Sequence, residues 1–327
     1  MDSIFEQVEE FRKQLAAGSL KAEARLIEAY RHLYEVVEAR IDALLLATME
    51  SGTLTEAQLV RMERYKALMN TVRRELEKYR AFSEVEMNIA ARKALDLGEI
   101  HGRMMVALSA GNVTLSGQMN ALNPKVIEQL LGFLQPEGAL YKRLAMMPDV
   151  TVSEVSKAII EGIGMGSGPK VTAGVLSKLG MALTDSLRMM RTVQLYSYRE
   201  ANRASYIANS DVVREWIWYA DLAGACPACV AMHGTRHPLS ERLNDHHNGR
   251  CAMVPVTITN PKINIETGEE WFEKQTETRQ QQILGKGKFE AYQSGKFKFE
   301  QLATNHTDEV YGEMRTEASL KELLVER

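Results

Sequence analysis

Cysteine is almost absent from this chain, three in 327 residues, and all three fall between positions 226 and 251. An odd number confined to one segment is a poor disulfide framework for a chain this long and a good fit to metal ligation in a reducing compartment. Long apolar runs are missing too. Nothing approaches the roughly 18 residues that a membrane span needs, and the start, MDSIFEQVEEFRKQL, is charged from its second residue and has no apolar signal-peptide core. The expectation is a chain that folds in a cytoplasm and makes no membrane contact. Charge of one sign is also lacking. Forty Lys and Arg face 43 Asp and Glu, a net charge of -3, so no overall field draws the molecule to nucleic acid and a DNA contact would need a local basic patch.

A phosphate loop is absent as well, although GIGMGSGPK at 162–170 invites one. A Walker loop needs Gly-Lys-Ser/Thr, whereas Pro169 separates Gly168 from Lys170. The dinucleotide pattern fails because Ser167 or Pro169 sits where its third glycine should be, and the preceding VSEVSKAIIEGI reads as helix where both motifs need a strand. The segment is expected to be a connection between two helices.

What is present is mostly helix. Leu26, Tyr30, Leu33, Val37, Ile41 and Leu44 recur at three and four residues, one face of an amphipathic helix that SGT at 51–53 should stop. Thr53 and Glu56 have capping-box spacing, and Leu59, Met62, Leu68, Val72, Leu76 and Tyr79 continue the stripe on a second helix, antiparallel to the first. A third helix is expected over 83–108, a loop or linker at SAGNVTLSGQMN, a short helix at PKVIEQLLGFL behind the cap Asn123, another starting at Thr151 with Glu154, and a long one from Val171 to about Ile207. Then the character changes: EWIWYADLAGACPACVAMHG is rich in aromatic and small residues, and CAMVPVTITNP has the β-branched composition of a strand. The reading is a mainly α chain: an N-terminal helical bundle or arm over 1–110, a helical linker region with a Gly-rich turn over 111–185, a small α+β module with a zinc knuckle over 186–262, and a tail over 263–327.

The chemistry gathers in CPACVAMHGTRHPLSERLNDHHNGRC, which holds every cysteine and four of the seven histidines. Cys226 and Cys229 have the C-x2-C spacing in which a tight turn brings two thiolates onto one tetrahedral ion. Sixteen residues separate Cys229 from His246, and four separate His246 from Cys251, completing a Cys3His set of the kind that holds one structural zinc per chain. His247 competes for the fourth place, and adjacency leaves the choice open. Four protein ligands leave no position for water, so the site should stabilise a fold and do no catalysis. A zinc deaminase would need His-x-Glu upstream, which is missing before Cys226. A metal-dependent nuclease built on DHHN would need further ligands soon after, yet the next histidine is His306. His233 and His237 lie in the same loop without an assigned role, and Asp221 is expected at a turn or behind a ligand.

YADLAGACPACVAMHGTRH…HHNGRCAMVPV resembles the head morphogenesis proteins of tailed bacteriophages, the Mu F-like minor capsid proteins, with Asp221, Cys226, Cys229, Gly234, His246, Arg250, Cys251, Pro255 and Val256 at matching places. His247 stands where those proteins have proline, and Gly249 where they have the first cysteine of a Cys-Arg-Cys run. RTVQLYSYREANRA at 191–204 is similar to their Arg-Thr helix, with Gln194 departing from its glutamate, and TGEEWFEKQ through FEQLA at 267–303 is similar to their C-terminal part. The resemblance covers about 150–303. It implies a minor head protein of the virion, inside the capsid near the portal, that assembles in the host cytoplasm. Its implied partners are the portal protein and major capsid or scaffold proteins, with a part in packaging or delivering DNA and no catalytic residue. A zinc-module DNA-binding protein is the alternative reading, and the lysines of GKGKF and SGKFKF, interleaved with phenylalanine, are where charge and stacking would meet a phosphate backbone.

Overall fold

The computed structural model describes residues 2–51, 54–111, 113–123, 126, 129–130, 132, 137–165 and 167–325. Helix dominates: α1 (Asp2–Ser51), α2 (Glu56–Leu59), α3 (Glu63–Ser109), α4 (Ala139–Gly164) and α5 (Gly168–Ala208) precede the first strand. The chain forms two compact units, one of Ala17–Ala90 with Gly132–Val193, the other of Met1–Ala16, Ala91–Leu131 and Gln194–Arg327. Both are discontinuous in sequence, so the linear divisions at 110, 185 and 262 do not coincide with them; α1, α3 and α5 each contribute residues to both.

The unit of Ala17–Ala90 and Gly132–Val193 is an up-down-up-down four-helix bundle. The pairings run antiparallel: Arg25 with Glu86 (2.6 Å) between α1 and α3, Tyr65 with Ser156 (2.7 Å) between α3 and α4, Lys178 with Glu154 (3.3 Å) between α5 and α4, and Arg191 with Glu23 (2.6 Å) between α5 and α1. Leu33, Val37, Ile41 and Leu44 of α1 meet Leu68, Val72 and Leu76 of α3 and Val155, Ile159, Val171 and Val175 in one core, as the apolar stripes require.

Three expected boundaries move. The capping box is formed by Thr55 and Gln58 and starts only the single turn α2; Thr53 lies outside the described residues. The helix expected over 83–108 is the second half of α3, because the sequence between offers no glycine or proline to stop it. Thr151 does not start a helix: it sits inside α4, where its hydroxyl donates to the Met147 carbonyl (2.8 Å), the local bond that serine and threonine make in mid-helix. Most of PKVIEQLLGFL lies outside the described residues.

In the other unit, strands β1 (Val213–Tyr219), β2 (Arg236–Pro238) and β3 (Ala252–Thr257) form an antiparallel sheet in the order β2-β1-β3. Trp216, Ile217 and Trp218 of β1 are fully buried against Ile4, Val8 and Phe11 of α1, Met105 and Val106 of α3, Tyr206 of α5 and Val254 and Val256 of β3. The outer edge of β3 is closed by side chains. Arg199 Nη2 donates to Cys251 O (2.8 Å), Tyr206 to Met253 O (3.1 Å) and Ser109 to Pro255 O (2.8 Å), so alternate carbonyls are satisfied, and Pro255 has no N–H to leave unpaired.

The segment read as a tail is folded. Helices α6 (Pro227–Met232), α7 (Gly268–Glu273), α8 (Glu277–Leu284), α9 (Lys286–Gln293) and α10 (Leu320–Leu324) share a core in which Val230 of α6 meets Phe272, Leu284, Phe289, Phe297, Phe299 and Leu302, and the hairpin of β4 (Ala303–Asp308) with β5 (Gly312–Glu317) runs between Leu302 and Ala318 of that core. Helix α7 crosses α6 backbone to backbone. A Cβ on Gly268 would lie 1.6 Å from the Val230 carbonyl oxygen, so only glycine allows the crossing.

Candidate metal centre

Cys226 is the N-cap of α6, with Pro227 in the first helical position, where a missing N–H costs nothing. Its sulfur accepts from the Cys229 N–H (3.5 Å), so the turn that caps the helix also brings both thiols to one side. The loop between β2 and β3 supplies the rest. It doubles back through a turn closed by Gly249 N to His246 O (2.9 Å), with Asn248 at φ 59°, a left-handed conformation that asparagine tolerates better than most residues.

His246 Nε2 lies 3.2 Å from Cys226 Sγ and 3.3 Å from Cys229 Sγ. A tetrahedral ion about 2.3 Å from sulfur and about 2.0–2.1 Å from nitrogen holds the two about 3.5 Å apart, so the three side chains stand close to ligating geometry. The set is soft, two thiols and an imidazole, which suits a thiophilic ion and is wrong for magnesium or calcium. Cys251 does not join this triad; its sulfur groups instead with Cys229 and the Asp245 carboxylate, so Cys229 is common to two overlapping triads. Together Cys226, Cys229, His246, Asp245 and Cys251 can hold a metal ion.

Protonation agrees with that use. The hydrogen bond with Cys229 pulls the Cys226 thiol well down and pushes Cys229 up, so the proton they share stays on Cys229. His246 is raised to about 9, first by its hydrogen bond to Cys226, against the effect of burial. Burial pushes Cys251 up. Without metal the cluster therefore holds a thiolate beside an imidazolium, and an ion that binds takes the place of protons. A cleft of about 140 Å³ reaches the thiols, lined among others by Arg12, Asp221, Asn248 and Arg250, and gives an ion its path in.

The two adjacent histidines diverge. His247 turns away, with Nε2 3.0 Å from Asp308 Oδ2 on β4 and its ring edge-on to Tyr311. His233 and His237 are buried: His233 Nδ1 accepts from Ala220 N (2.9 Å), and His237 stacks on Trp216 (4.4 Å) between Thr235 and Glu241. Asp221 stands at a turn whose carbonyl accepts from Gly224 N, and its carboxylate faces Arg12 (3.7 Å). Sequence reasoning missed Asp245, whose side chain is wholly buried at the centre of the cluster; nothing in NDHHN distinguishes a buried aspartate from a turn-forming one. Of the basic segments, Lys286, Lys296 and Lys298 are exposed, but Phe289, Phe297 and Phe299 are in the core and cannot stack on bases.

No family model matches the chain, and no curated protein and no solved structure matches it.

Proposed function

We propose that this chain is a minor head protein of a tailed bacteriophage, in which one zinc ion held by Cys226, Cys229, His246 and Cys251 fixes a rigid module and the helical regions bind the portal protein or other head subunits. Zinc is preferred among soft ions because three thiolates and an imidazole form its usual closed structural set, which leaves no place for a reacting water. In this reading the protein is not an enzyme, and it acts in the capsid interior near the portal.

One observation supports the reading: the three phrases of the resemblance touch within one unit, to which all of them but residues 191–193 belong. Arg199, from the phrase at 191–204, donates to the carbonyl of Cys251 in the second, and Val230 of the second packs against Phe272 and Phe299 of the third. All three meet at the segment 226–251. A structural ion there also has a physical purpose, since the loop carrying His246 and Cys251 has little regular structure of its own.

Purified chain mixed with the portal protein of the same phage tests this. A complex that survives nuclease treatment and moderate salt is expected. No complex, together with DNA binding by the isolated chain that weakens steeply with salt, would reject the head-protein reading for the DNA-binding one.

A further inference from the structure

His246 and Cys251 sit on the irregular stretch between β2 and β3, and ordering such a stretch costs conformational entropy that metal binding would otherwise have to supply. A buried ion pair already orders it. The Asp245 side chain is wholly buried and that of Arg199, on α5, is 8% exposed. Asp245 Oδ2 accepts from Arg199 Nη2 (2.9 Å) and from the Cys251 N–H (3.2 Å), while Oδ1 accepts from the His246 N–H (2.9 Å) and lies 3.3 Å from Cys229 Sγ. Arg199 Nη2 also donates to Gly249 O (2.9 Å) and Cys251 O (2.8 Å), and its Nε to Cys251 O (3.1 Å). The carboxylate thus grips the backbone N–H of both loop ligands, and the guanidinium holds the carbonyls that follow. Burying two charges is unfavourable unless both are well hydrogen-bonded; here both carboxylate oxygens and the guanidinium Nη2 and Nε are, and every one of these bonds lands on the ligand loop or on a cysteine.

We propose that Arg199 and Asp245 are the positioning pair of the metal centre: they hold His246 and Cys251 in ligating position before the ion arrives, without binding it themselves. The inference rests on the reading of Cys226, Cys229, His246 and Cys251 as the ligands. It assigns the helix phrase at 191–204 a task, since Arg199 ties a long helix to the metal loop.

The test is cobalt(II) titration of the full chain, wild type against Arg199→Met, Arg199→Lys and Asp245→Asn. Affinity is read by competition with a chelator, and the ligand set by the thiolate-to-cobalt and d–d bands. Outer partners of metal ligands are typically worth 10–100-fold in affinity. Arg199→Met and Asp245→Asn are expected to bind about 10–100-fold more weakly with unchanged band positions, and Arg199→Lys to recover part of the loss. If Arg199→Met does not fold, the lysine and asparagine variants carry the comparison. Wild-type affinity in Arg199→Met, or in both Arg199→Lys and Asp245→Asn, overturns the proposal; so does a changed d–d spectrum in Asp245→Asn, which would make Asp245 a ligand. A wild-type chain that binds no cobalt through thiolates would sink the metal reading itself, and the positioning role with it.

Discussion

The carboxylate of Asp245 occupies the space that any side chain at residue 249 would need: a Cβ on Gly249 would lie 2.0 Å from Asp245 Oδ2. Asp245 cannot yield cheaply, because it is buried and hydrogen-bonded through both oxygens. Gly249→Ala should therefore destabilise the protein by about 1–3 kcal/mol, the usual cost of overpacking a filled interior, and weaken metal binding as well. Gly249→Cys should fare no better, although the resemblance puts cysteine there. Thermal melts with and without chelator check this; a melting temperature equal to wild type in Gly249→Ala would show that the loop can open at no cost.

This pair also marks how far the sequence was legible. The stripes at 26–44 and 68–79 are buried residue by residue, because helical period and burial are the same information seen twice. Cys226 and Cys229 were equally readable, since C-x2-C spacing carries its own geometry, whereas the choice of His246 over its neighbour His247 was open until the fold placed them. Helix ends were not: α3 runs on from 63 to 109 without a break, and Thr151 resembles a cap but lies mid-helix. Asp245 and Arg199 are 46 residues apart and meet only through tertiary packing, so no local pattern announces them.

The divergence of the two histidines gives a sharp contrast. His246 faces both thiols, whereas His247 bonds to Asp308 in a half-buried position. Replacing His246 by alanine should abolish stoichiometric metal. Replacing His247 should leave one ion per chain and cost at most about 1 kcal/mol, as for other partly exposed polar contacts. Elemental analysis of the two purified variants decides the matter, and metal loss in His247→Ala alone would reverse the ligand assignment.

Removing the ion should be felt well beyond the ligands. Helix α6 places Cys229 and Met232 in the sheet core and Val230 in the core of the C-terminal helices, so six residues join two apolar clusters. With chelator, amide protection should fall together in 226–251 and in 268–302, while Leu33, Ile41, Leu68 and Leu76 of the separate helical bundle stay protected. Hydrogen exchange read by mass spectrometry tests this; loss confined to 226–251 would mean that the C-terminal helices do not depend on the metal.

His101 supplies a pH dependence independent of the metal site. Its ring stacks on Phe11, its Nδ1 is 3.0 Å from the Tyr198 hydroxyl, and burial lowers it from 6.5 to about 4. The folded state therefore keeps it neutral where the unfolded chain would protonate it. Above about pH 6.5 the difference has no effect. As pH falls below that value the unfolded state takes up a proton that the folded state refuses, and stability drops until about pH 4, where the folded protein binds it as well. His101→Gln keeps an acceptor for Tyr198 and cannot titrate, so it should start less stable at pH 7.5, through lost packing on Phe11, yet lose less between pH 6.5 and 4.5 than wild type does. Denaturant melts at matched ionic strength across that range give the comparison. Parallel pH profiles for the two proteins would mean that His101 is protonated in the folded state, with the Tyr198 hydroxyl accepting from it.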